Sequence, residues 1–249
     1  MKRELMKYRF IITLAALLLL GACRQSSTPK EKEQNVTTKS EKSATREQNI
    51  IKKHISIPFD FSYITNLGSV DIIYTQGNYN IEVEGDSALL NYLNINFDSN
   101  LMTVYVQTDN STDINLYGAK SNIKMYVSTP ELKCVSICGN GSFESQATWR
   151  TEDLQLGVLS TGKMNIGRVE CTTLDLQSTD IGDITLTDLH AEDATIYSCS
   201  SANINVNMDV KNLVVINDGK QKMKLTGKAQ HVAIKKSKDL NLVNELTNF

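Results

Sequence analysis

The sequence predicts an all-β fold, a parallel β-helix with about twenty residues per coil. Apolar pairs recur at that period: Leu154-Gln-Leu156, Leu174-Asp-Leu176, Ala194-Thr-Ile196, Val214-Val-Ile216 and Ile234. A second column holds Met164-Asn-Ile166, Ile184-Thr-Leu186 and Ile204-Asn-Val206, then Met223-Lys-Leu225 one residue early. Small or turn-forming residues separate the columns, as in Leu159-Ser-Thr-Gly162, Thr179-Asp-Ile-Gly182 and Cys199-Ser-Ser-Ala202. Alternation turns one face of each short strand inward. One such unit cannot bury its inner face alone, so units must stack, about 4.8 Å per rung. An antiparallel sandwich is the competing architecture. A propeller fits less well, since its blades need about forty residues.

The chain before the repeat divides into an address and a spacer. Lys2, Arg3, Lys7 and Arg9 precede an eleven-residue apolar run from Phe10 to Leu20. As a helix that run spans only about 16 Å, roughly half a bilayer core, so residues 1–22 read as a secretory signal peptide. Leu20-Gly21-Ala22-Cys23 resembles the bacterial lipobox. That resemblance implies a diacylglyceryl-modified, acylated Cys23, and three acyl chains exceed what stable anchoring requires. Arg24 rather than aspartate follows the cysteine, which favours the outer membrane and leaves its face open. From Arg24 to Asn49 there is no aromatic residue and one branched aliphatic, Val36, so residues 23–53 are expected to form a disordered tether. As a coil, such a segment reaches roughly 25–30 Å.

Residues 54–249 form the expected folded domain, with 54–130 less regular than 131–249. Val70–Tyr74, Tyr79–Glu84, Leu93–Phe97, Leu101–Val106 and Ile123–Val127 read as strands, broken at Gln76-Gly77-Asn78 and Asp98-Ser99-Asn100. They are expected to be the first coils of the same solenoid, capping its N-terminal end. Pro58 and Pro130 fall at segment boundaries, where a missing amide is harmless.

The segment beginning Phe61-Ser-Tyr-Ile-Thr-Asn-Leu-Gly-Ser-Val-Asp-Ile-Ile-Tyr, followed by the Leu-x-Leu and Ile-x-Leu units, resembles the auto-transporter adhesin head GIN domain family. The likeness covers about residues 55–249. Members carry a Gly-x-Gly corner in several coils, whereas this chain keeps it only at Gly139-Asn140-Gly141, with single glycines at Gly162 and Gly182. The resemblance implies a right-handed β-helix and an adhesin-type role. It brings no catalytic residues and no cofactor.

Charge and side-chain inventory narrow the function further. Residues 54–249 carry fourteen Lys/Arg against twenty-three Asp/Glu, an acidic field that disfavours nucleic acid. Three scattered histidines (His54, His190, His231) and the lack of a Cys-x-x-Cys pair give no metal site. Beyond Cys23, the thiols Cys134, Cys138, Cys171 and Cys199 are expected to be free and inert. Cys134 and Cys138 share the outward parity of one strand, too far apart to bridge. Asp180, Asp183, Asp193 and Arg168 are the residues a polysaccharide lyase or hydrolase would need, although aspartate at a corner also serves local hydrogen bonding.

Lys220, Lys222, Lys224, Lys228, Lys235, Lys236 and Lys238 make the last coils basic and are expected to guard a terminal edge, the alternative being a contact to an anionic glycan or a lipid headgroup. Tyr63, Tyr74, Tyr79, Tyr92, Tyr105, Tyr117 and Tyr126 could form a stacking platform or simply fill half-buried sheet. Asp86-Ser87-Ala88 is similar to a bacterial O-glycosylation acceptor, with Ser87 the modified residue. Taken together, these features predict a non-catalytic, lipid-anchored envelope protein presenting a rigid β-helix to an extended glycan or protein. The alternatives are a polysaccharide-active enzyme and a periplasm-facing structural or regulatory partner.

Overall fold

Alternating apolar residues drive nearly every described segment into β structure. The computed structural model describes residues 49–106, 122–199, 201–219, 222–236 and 241–247, all within one compact unit, Arg46–Phe249. Cys23, the signal segment, most of the tether, Tyr117, Lys220 and Lys238 lie outside the described residues. The strands are β1 (Ile50–His54), β2 (Tyr63–Asn66), β3 (Asp71–Gln76), β4 (Asn80–Asp86), β5 (Leu93–Asp98), β6 (Leu101–Val106), β7 (Lys124–Thr129), β8 (Cys134–Ile137) and β9 (Ser142–Ser145). They continue with β10 (Trp149–Arg150), β11 (Asp153–Val158), β12 (Lys163–Glu170), β13 (Thr173–Ser178), β14 (Ile184–Ser198), β15 (Asn203–Asn217), β16 (Lys222–Lys236) and β17 (Asn241–Thr247). One helical turn, α1 (Ser87–Leu90), interrupts them, started by Asp86, whose side chain accepts from the Ala88 N–H.

The strands stack as a parallel solenoid with three faces. The first face runs β8, β11, β13 and the last third of β14, β15 and β16. The second runs β9, the start of β12, and the first third of β14, β15 and β16, then β17. The third holds β10, the end of β12 and the middle of β14 and β15. Parallel registers such as Leu154↔Leu174↔Ala194 repeat at the predicted twenty residues.

Inside, each face contributes columns of like side chains. Ile64, Val135, Leu156, Leu176, Ile196 and Val215 form one stack; Ile72, Phe143, Met164, Ile184, Ile204 and Met223 form another, all buried. Each fully buried aliphatic side chain contributes about 1.5–3 kcal/mol. Trp149 anchors the third face, its indole N–H donating to the Leu132 carbonyl at 2.9 Å. Its ring lies 5.0 Å from Tyr74 and 5.7 Å from Phe143. Corner amides find partners as well: the Asn66 side chain accepts from Gly68 N–H and donates to the Val70 carbonyl, and Asn217 accepts from Gly219 N–H.

Three expectations need correction. Val214 and Ile216 point outward, half-buried, while Leu213 and Val215 enter the core. A bulge in β14 causes this, because the register steps from Leu186↔Val206 to Leu189↔Met208 and the coil shortens to nineteen residues. Second, residues 54–130 are not sequential coils. The β2–β3 rung lies between β6–β7 on one side and β8–β9 on the other, and β1, β4 and β5 pair antiparallel beyond it. The capping role holds: Leu90 of α1 and the half-buried Ile51, Ile55, Ile57, Leu93, Ile95 and Phe97 plug the end of the core. Third, Cys134 has outward parity yet is buried, and Cys138 follows the end of β8 at the corner.

Candidate functional site

Since the core consumes every inward position, any binding chemistry must come from the outward rows, which strand parity fixes. Register then aligns each row along the solenoid axis. On the first face, one row reads Tyr63, Cys134, Gln155, Asp175, Thr195 and Val214. The next reads Thr65, Ser136, Gly157, Gln177, Tyr197 and Ile216. Acidic residues on this face include Asp153, Asp175 and Asp193, one on each of three successive coils.

The third face is an ionic ladder. Arg150, Glu170, His190, Asp209 and Lys228 share one register column, and Arg168 pairs with Asp188 beside it. Arg150 Nε donates to Glu170 at 2.8 Å, Arg168 Nε donates to the other Glu170 oxygen at 2.8 Å, and Arg168 Nη1 donates to Asp188 at 2.7 Å. His190 Nε2 stands 2.9 Å from the second Asp188 oxygen. Hydrogen bonds from Arg168 and then Arg150 hold the Glu170 carboxyl below the usual carboxylate range. These charges neutralise one another across coil steps on an open surface.

The second face carries amides and hydroxyls. Its central row is Asn165, Thr185, Asn205 and Lys224; on either side run Lys163, Asp183, Asn203, Lys222 and Gly167, Thr187, Asn207, Thr226. Asn203 donates to Asp183 at 2.9 Å, Asn207 to the Thr187 carbonyl at 3.0 Å, and Thr226 to Asn207 at 3.0 Å.

The sequence-predicted residues do not converge. Arg168 belongs to the ionic ladder, Asp183 is bonded to Asn203, Asp193 to Asn212, and Asp180 is exposed at a corner. Among the described residues no three His, Cys, Asp or Glu side chains come close enough to hold a metal ion. Cys134, Cys138, Cys171 and Cys199 are free thiols. Burial pushes Cys134 and Cys138 up to about 11 and Cys171 to about 12, so all three stay protonated at neutral pH. The tyrosines are scattered: Tyr74 is core, Tyr126 donates to Glu84, and Tyr79 packs tilted against Phe61. Ser87 opens α1, with its hydroxyl 3.3 Å from the Asn49 amide and half-buried. Lys222, Lys224, Lys228 and Lys235 are exposed on β16.

Neither the ladder nor the central amide row stands out in the composition. Both are nonetheless written in the spacing: residues 150, 170 and 190, and residues 165, 185 and 205, each recur at twenty.

The family described as "Putative auto-transporter adhesin, head GIN domain" matches residues 60–187. No curated protein matches the chain. Among solved structures, a "putative adhesin" from Bacteroides fragilis superimposes with a TM-score of 0.59 at 18% identity, over 81% of this chain and 97% of that one. A second "putative adhesin", from Parabacteroides distasonis, gives 0.58 at 17%, over 80% and 96%. A "putative lipid binding protein" from Parabacteroides distasonis gives 0.51 at 16%, over 80% and 98%. At these identities the likeness establishes the fold. No helix among the described residues is long and apolar enough to cross a membrane.

Proposed function

The chain belongs to the auto-transporter adhesin head GIN domain family, and from that premise we propose that it is a lipid-anchored envelope protein whose solenoid is a non-catalytic binding surface. The anchor is Cys23 and the cargo of the anchor is the β-helix, held at the outer membrane; the spacer is residues 23–49, shorter than the expected 23–53 because Ile50–Lys53 pair with β4 as part of β1. Its ligand is an extended glycan or protein lying along the coils.

One observation carries this reading. The outward rows are flat and in register over successive coils, and the ionisable groups of the third face are paired with one another instead of aimed into a shared cleft. A rigid, periodic surface suits an extended partner. Catalysis instead requires groups converging on one reacting atom.

Protease added to intact and to permeabilised cells tests the placement, with the folded domain followed by antibody. Digestion in intact cells is expected. Protection until permeabilisation would overturn surface display and favour a periplasm-facing structural partner. In the same cells, Cys23→Ala is expected to move the protein from the membrane fraction to the soluble one.

A further inference from the structure

The second face separates side chains that are used from side chains that are not. In its flanking rows the polar groups bridge adjacent coils: Asp183 accepts both the backbone and side-chain N–H of Asn203, and Thr187 donates to the Gly167 carbonyl at 3.2 Å. Asn207 sits between Thr187 and Thr226, donating to one and accepting from the other. Those bonds stiffen the surface on both sides of the central row. Asn165, Thr185 and Asn205 lie between them in direct register, Asn165 and Asn205 exposed and Thr185 half-buried. No side-chain hydrogen bond among the described residues engages these three. The row is bounded by Glu144 at one end and Lys224 at the other, so its middle is neutral.

The geometry points to a neutral, extended polysaccharide as the occupant, lying along the solenoid axis with about one sugar ring per coil. This inference rests on the reading of the solenoid as a display surface. Periodicity chooses among extended ligands. Coils recur about every 4.8 Å, whereas an extended peptide presents same-side groups every 6.6 Å or so and falls out of phase within two coils. A polyproline II segment returns to the same side about every 9 Å, touching only alternate coils. An extended pyranoside chain advances by close to one coil spacing per ring, and although successive rings turn over, every ring carries oxygen acceptors or hydroxyls on both edges, so each ring still offers partners to one coil. Chemistry agrees: each amide offers donors and an acceptor, and a threonine hydroxyl does both, which matches the paired capacity of a sugar hydroxyl. Charge agrees as well, since the acidic domain repels polyanions while Asn165, Thr185 and Asn205 carry no charge.

The test is affinity electrophoresis and calorimetry of the full lipidated chain in detergent, against galactomannan, mixed-linkage β-glucan and arabinoxylan, with alginate as the anionic comparison. Retardation by at least one neutral polymer and not by alginate is expected. The variant Asn165→Ala/Thr185→Ala/Asn205→Ala is expected to weaken binding at least tenfold at unchanged Tm. Gln155→Ala/Thr195→Ala, on the first face, is expected to bind as the parent does. Should the triple variant lose stability, Thr185→Val and the near-isosteric Asn165→Asp/Asn205→Asp take its place, with the same weakening expected.

No retardation by any neutral polymer, or full binding by the row variants, overturns the inference. Binding lost only in the first-face variant also overturns it, yet leaves the display reading standing. Release of new reducing ends from a bound polymer would overturn the non-catalytic reading itself.

Discussion

At the scale of single residues, one tight constraint lies where neighbouring coils turn the corner between the first and second faces. A methyl group on Gly182 would stand 2.2 Å from the Gly162 carbonyl oxygen and 2.4 Å from a Val158 methyl, contacts that only a backbone shift relieves. Gly157 differs: there the nearest atom would be the Ser136 hydroxyl at 3.6 Å, an ordinary contact. Gly182→Ala is therefore expected to cost about 1–3 kcal/mol through overpacking, a fall in Tm of roughly 3–10 °C. Gly157→Ala is expected to stay within about 0.5 kcal/mol of the parent. Denaturant unfolding followed by Trp149, the only tryptophan, reads both. Equal losses in the two variants would mean that the glycines serve strand conformation and not the close approach of coils. One coil later Ala202 takes the corner position and is buried, so the requirement for glycine ends there.

At the scale of elements, the ionic ladder links β10, β12 and β14 across the third face. Glu170 has its carboxyl lowered in the folded state by Arg168 and Arg150, so its contribution is present above the ordinary carboxylate range and fades as pH falls through the lowered value. Because the pairs are exposed, the effect is small and screened by salt. Tm measured from pH 7 to pH 3 is expected to fall more steeply for the parent than for Glu170→Gln, and the difference is expected to vanish in molar salt. Parallel curves would show that the ladder adds nothing to stability.

The same elements show what the sequence could and could not announce. Inward pairs such as Leu154/Leu156 and Leu174/Leu176 were legible because alternation and a constant period report burial directly. The reversed parity of Val214 and Ile216 was not, since a single extra residue around Thr187 and Asp188 leaves no compositional trace. The rows of the second and third faces are polar on solvated strands and look alike until register aligns them. The antiparallel cap was hidden for another reason: β1, β4 and β5 alternate much as parallel strands do, and pairing direction is not a property of one strand.

At the scale of the whole molecule, chain order and spatial order disagree at the N-terminal end, and that has consequences for folding. The β2–β3 rung supplies parallel partners to β8 and β9 seventy-one residues later, as in Tyr63↔Cys134 and Asp71↔Ser142. The aromatic cluster straddles the same boundary, with Tyr74 on one side and Phe143 and Trp149 on the other. The Gln76 side chain also reaches across, donating to the Pro130 and Arg150 carbonyls at 2.8 Å and accepting from the Arg150 N–H.

Although the repeat becomes regular at residue 131, the coils beyond it are consequently not a separable unit. Without residues 54–130, Val135, Ile137 and Phe143, all fully buried in the intact chain, would face water, and the strand edges of β8 and β9 would be open. A fragment of residues 131–249 is expected to aggregate, or to show red-shifted Trp149 emission and no cooperative thermal transition, whereas residues 46–249 melt as a folded protein. A monomeric 131–249 fragment with native-like emission would show instead that the regular coils carry their own stability and that the N-terminal rungs are an added cap.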